Sequence, residues 1–109
     1  MIDRPPTPAL DTSIIYQLLS AARRRAVLRV LDEEGQMNFD QLVGEVTAIE
    51  TGDDLDDHLM IGNNSVQITL YHQHLPKLEE HDVVEVNDEM VSLGPNAEAV
   101  LRVLTLNEP

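Results

Sequence analysis

The chain has 109 residues, enough for one compact domain and too few for two, and its 42% hydrophobic content excludes wholesale disorder. Acids outnumber bases 20 to 7, a formal charge of -13, so the basic footprint of an ordinary nucleic-acid binder is missing; the absence of cysteine excludes disulfides, thiolate metal sites and a cysteine nucleophile. The bases are arginines apart from Lys77, and this acid-rich, lysine-poor composition predicts a soluble cytoplasmic protein of a halophilic cell, with neither a membrane-spanning apolar run nor the apolar core of a signal peptide.

Pro5, Pro6 and Pro8 remove backbone donors and predict a flexible arm over residues 1–9. Asp11, Thr12 or Ser13 can cap a first helix, on which Ile14, Ile15, Leu18 and Leu19 fall on one face. From residue 21 to about 34, Ala22, Ala26, Val27, Val30 and Leu31 recur at helical spacing, and Gly35 supplies the stop. Asn38 followed by Gln41 resembles a capping box, and Leu42, Val43, Val46 and Ile49 continue a third helix to Gly52. Residues 50–62 hold Asp53, Asp54, Asp56 and Asp57 and read as a long acidic loop, with Leu55, Leu59, Met60 and Ile61 as anchors.

Asn63 or Asn64 can cap a fourth helix reaching about Glu80, on which 3.6-residue spacing predicts Ile68, Tyr71, Leu75 and Leu78 as the core stripe and a kink at Pro76. The period then becomes alternating: Val84 and Val86, then Val91 and Leu93, flank Asn87-Asp88-Glu89 as a hairpin. Gly94 and Pro95 break the chain before a terminal helix carrying Ala97, Val100, Leu101 and Leu104. The expected fold is mainly α with a short β-hairpin. Helices followed by a hairpin are the order of a winged helix-turn-helix, here over residues 10–94, with a long acidic loop before the recognition helix and a C-terminal helix and tail over residues 95–109.

Three segments carry a resemblance. The stretch HLPKLEEHDVV at residues 74–84 resembles the "HL..L...G.V" junction between recognition helix and wing in ArsR-like and related archaeal regulators, with Asp82 where glycine is usual. The stretch RRRAVLRVL at residues 23–31 resembles their "RR..IL..L" helix, and NFDQLV at 38–43 their capped second helix. With LYHQHLPKL at residues 70–78, the chain from residue 10 to 93 looks like an uncharacterised winged-helix domain widespread in haloarchaea. The resemblance implies the winged-helix fold and a DNA-binding transcriptional regulator, acting as a homodimer with residues 64–77 as reader.

On the fourth helix, spacing at 100° gathers Ser65, Thr69, His72, Gln73 and Pro76 on an arc opposite the predicted stripe, and of these Ser65, Thr69, His72 and Gln73, with Lys77, are the candidate contacts to double-stranded DNA. Val66 and Leu70 at the edge of the arc call for cover from the long loop or for a partner surface. Arg23, Arg24, Arg25 and Arg29 hold four of the seven positive charges, with Arg25 and Arg29 on one helical face, and read as a phosphate clamp or, preferably, as partners of nearby acids such as Asp32, Glu33 and Glu34; Arg23 to Arg25 are the dense cluster and the candidate DNA contacts. The acidic wing tip Asn87-Asp88-Glu89 opposes DNA contact and favours the alternative, a protein-protein interaction module without DNA binding. Ile14, Ile15, Leu18, Val100, Leu101 and Leu104 exceed what a three-helix core must cover and are the candidate dimer interface. The loop acids lack EF-hand spacing, and His72 and His74 project apart on a helix, so neither a metal nor a cofactor is expected. No nucleophile elbow or phosphate loop appears, and an enzyme is not expected. Met37, Met60 and Met90 read as core fillers, and Tyr71 as a core aromatic with a hydrogen-bonded hydroxyl.

Overall fold

A computed structural model of the chain describes residues 10–51 and 65–106; the expected arm, the acidic loop from residue 52 onward and the capping asparagines Asn63 and Asn64 lie outside the described residues. The described chain is mainly helical with a short β-hairpin. Helix α1 spans Thr12–Leu18 after an extended Asp11, whose carbonyl receives the Ile15 N–H at 3.0 Å. Helix α2 spans Ala22–Glu34 and buries Ala26, Val27, Leu28, Val30 and Leu31. It stops at Gly35, which takes the positive φ of 83° and donates its N–H to the Leu31 carbonyl.

Strand β1, Met37–Asn38, leads directly into α3, Phe39–Thr51. Asn38 Oδ1 accepts the Gln41 N–H at 2.8 Å, the N-terminal cap that the Asn-Gln spacing announced. Strands β2, Val84–Asn87, and β3, Met90–Leu93, form the hairpin, with Val86 opposite Val91 and Asn87 opposite Met90. Asp88 and Glu89 at its tip have φ of 51° and 69°, the handedness of a two-residue type I′ turn. The sheet order is β1–β3–β2, all antiparallel, because Met37 and Asn38 pair with Val91 and Met90. Sequence periodicity did not reveal β1: two residues are too few to show alternation, and their pairing lies about fifty positions away along the chain.

The fourth helix, α4, is described over residues 65–80 and changes pitch inside. A π-helical stretch at Leu70–His74 is closed by a bond from the Leu75 N–H to the Leu70 carbonyl, and an α-helical segment, Leu75–Glu80, follows with Pro76 in its first turn. The irregularity expected at Pro76 thus takes the form of a widened turn just ahead of it. The widening sets the phase of the helix. Val66, Leu70, His74 and Leu78 are buried at intervals of four residues, a spacing that on an ideal α-helix would drift by about 40° per step.

The stripe predicted from 3.6-residue spacing is therefore wrong in its first half: Ile68 is 57% and Tyr71 65% exposed, while Leu75 and Leu78 are buried. Tyr71 is not a core aromatic. Val66 and Leu70 are fully buried within the chain.

Helix α4 ends in a Schellman motif, with Val83 N–H bonded to the Leu78 carbonyl and Asp82 N–H to that of Glu79. Asp82 occupies the left-handed position at φ 61°, the conformation for which glycine is usual. Helix α5, Ala97–Leu106, packs against α1 and α2. Ile15, Leu18, Val100 and Leu104 are buried in the chain's own core by this packing, which withdraws them from the dimer interface expected of them; Ile14 and Leu101 stay half-buried. Their excess over a three-helix core is absorbed because the first and last helices cover each other. Met37 is buried as expected, and Met90 is half-buried.

Candidate functional site

The three consecutive arginines at the start of α2 point to three different places. Arg23 grips the Glu50 carboxylate through Nε and Nη2, the latter at 3.0 Å, and its Nη1 donates to Thr69 Oγ1 at 2.8 Å and Ser65 Oγ at 3.3 Å. One guanidinium thus joins α2 to the end of α3 and the first described turn of α4. A two-pronged ion pair with further bonds is the geometry for which arginine suits better than lysine.

Arg24 is only 5% exposed. Its Nε donates to the Leu18 carbonyl at 2.7 Å and its Nη2 to that of Gln17 at 3.0 Å, satisfying acceptors at the end of α1 that have no partner within the helix. Its Nη1 lies 3.1 Å from Nδ1 of His74, on the buried side of the widened turn of α4. A guanidinium can only donate, so Nδ1 accepts and the imidazole is neutral with its proton on Nε2. Burial first, then the charges of Arg24 and Arg23, push the His74 pKa below its ordinary value, with Glu50 opposing; burial likewise lowers that of Arg24. Arg25 donates to the Leu19 carbonyl at 2.6 Å.

Among the described residues the arginine cluster is an internal fastening, and its carboxylate partner there is Glu50 on α3, in place of Asp32, Glu33 or Glu34. Ser65 and Thr69, expected to read bases, are bonded into the same fastening, while His72 and Gln73 stay exposed and Lys77 half-buried. Sequence reasoning missed these partners because those of Arg23 are side chains 27 to 46 positions away along the chain, and those of Arg24 and Arg25 are largely backbone carbonyls, acceptors that leave no mark in a sequence.

The outer side of α4 faces a groove of about 970 Å³ between the start of α3 and the hairpin. Phe39, Ile68, Tyr71, Leu75, Pro76 and Val86 supply its apolar lining, and its charged lining residues are Asp40, Glu79 and Glu89, with His72 and Gln67 beside them. Tyr71 meets Phe39 edge to face at 5.9 Å between ring centres, and stands in the same relation to the His72 ring at 5.0 Å. The hairpin closes the groove because the Phe39 N–H donates to the Glu89 carbonyl at 2.7 Å, which fixes the start of α3 against the turn. None of the groove's aromatic or aliphatic residues was assigned to a site from the sequence; the four-residue spacing of Val66, Leu70, His74 and Leu78 was the available signal.

Among the described residues no group of His, Asp and Glu gathers to hold a metal ion, and no helix is long and apolar enough to cross a membrane. Neither a curated protein nor a solved structure matches the chain. A family model described as a domain of unknown function, DUF7344, matches residues 16–92, a span that holds the arginine fastening and the described residues lining the groove. The chain belongs to that family.

Proposed function

We propose that this chain is a winged helix-turn-helix domain of a halophilic cell whose recognition-helix surface docks another protein in place of DNA. Support for the winged helix is the order α2, β1, α3, α4, β2, β3 with β1 paired to the second hairpin strand, β3. The observation that carries the docking reading is the exposure of Tyr71 in an apolar groove where a DNA reader would present polar and basic groups. Duplex DNA binding draws most of its affinity from cations set against phosphates. Here Arg23, Arg24 and Arg25 are bonded inside the fold, and the exposed hairpin tip carries Asp88 and Glu89.

The test places a photo-crosslinking phenylalanine analogue at Tyr71, or at the control Tyr16, which is 53% exposed on α1, in the full chain inside a halophilic host. Protein adducts formed from position 71, absent from position 16 and abolished by Ile68→Glu support the reading. Adducts to DNA from position 71, or none above the control, overturn it in favour of the DNA-binding regulator or of another surface.

A further inference from the structure

Resting on that reading, we infer that the groove beside α4 takes a basic, apolar segment of a partner protein, with a lysine or arginine over the Tyr71 ring among Asp40, Glu79 and Glu89. The chain has three aromatic residues besides its histidines, and two of them, Phe39 and Tyr71, meet in this groove. A tyrosine left 65% exposed by a fold with so few aromatics adds little to the core. Exposed tyrosine held by a second ring is, by contrast, a favoured anchor at interfaces, offering a broad face and few torsions to immobilise.

The charge on the groove selects the occupant. Among the described lining residues the full charges are carboxylates, with no lysine or arginine. An apolar floor with acidic residues around it attracts a cation with a hydrocarbon stem, which packs its methylenes on Leu75 and Pro76 while its head meets a ring face and a carboxylate. A second copy of the chain is a poor occupant, because only seven of its residues are basic and three of them, Arg23, Arg24 and Arg25, are bonded within its own fold. In molar salt the screening length falls to about 3 Å, so only charges in contact still discriminate. Carboxylates beside an apolar floor keep that discrimination.

The experiment is selection of random twelve-residue peptides displayed on ribosomes against the immobilised full chain in molar KCl, followed by anisotropy titration of each enriched peptide. The expected peptides combine lysine or arginine with large apolar residues. Each should bind about tenfold or more weakly to Tyr71→Ala and to Glu79→Lys, but within about twofold of wild type to Glu33→Lys, a reversal of equal charge outside the groove. Circular dichroism melts of the variants separate lost binding from lost fold, and Tyr71→Phe, which keeps the ring, should retain affinity. Enriched peptides that are neutral or acidic yet still depend on Tyr71 overturn the basic partner and leave protein docking standing. Basic peptides that respond equally to Glu33→Lys and Glu79→Lys overturn the groove as their site. Failure to enrich any Tyr71-dependent peptide overturns both readings.

Discussion

Nη1 of Arg24 and Nδ1 of His74 lie 3.1 Å apart inside the fold, a contact between two groups that both carry positive charge if the imidazole is protonated. The contact is favourable only while His74 stays neutral, and its depressed pKa follows from burial and from the guanidinium beside it. In the unfolded chain the imidazole titrates near its ordinary 6.5, so below that pH the unfolded state binds a proton that the folded state resists. The stability this arrangement supplies is complete above about pH 6.5 and is lost as pH falls toward the folded-state value. Denaturant midpoints of wild type and His74→Gln, measured at fixed KCl from pH 7.5 to 5, should move apart, wild type losing more on acidification. A constant difference would show that His74 is not held neutral.

The phase of α4 is tested by a pair of neighbours. Leu70 is fully buried and Tyr71 mostly exposed but in contact with the Phe39 ring, so Leu70→Ala should cost about 2–5 kcal/mol and Tyr71→Ala no more than about 1 kcal/mol. Urea unfolding in molar KCl measures both; the reverse order would restore the stripe predicted from ideal helical spacing.

The end of α4 carries a strained residue against a close backbone approach. Asp82 holds φ 61°, and its replacement by glycine should raise stability by about 0.5–1 kcal/mol, relief of the left-handed penalty outweighing the entropy glycine adds to the unfolded chain. A Cβ on Gly94 would stand 2.5 Å from the Asp82 carbonyl oxygen, so Gly94→Ala must displace backbone and should lose about 1–3 kcal/mol. Thermal melts of the two single variants should therefore shift in opposite directions.

The excess of acids makes stability depend on salt, since self-repulsion at a formal charge of -13 is relieved by screening. The melting temperature should climb as KCl rises from dilute to molar. A flat response would remove the halophilic assignment.

Much of the fold was legible where one local rule governed. The α2 and hairpin periods and the Asn38 cap follow from residues within a few positions of one another. What could not be read depended on distance or on backbone. The partners of β1 lie far along the chain, Arg24 is satisfied largely by carbonyls, and the outward turn of Ile68 and Tyr71 follows from a helical pitch that a 3.6-residue wheel does not contain. The candidate site was illegible for that last reason: the wheel put its central aromatic in the core.

The widened turn at Leu70–His74 also makes the pitch of α4 a determinant of its surface. Regaining ordinary pitch there with every residue kept would rotate everything after it by about 100° relative to Val66 and Ile68. Leu78 would leave the core, and Pro76 and Glu79 would leave the wall they share with Tyr71. Removing one residue together with the widening would instead leave the two ends of the helix in nearly the same phase, so the turn houses one extra residue between two segments whose faces it keeps aligned.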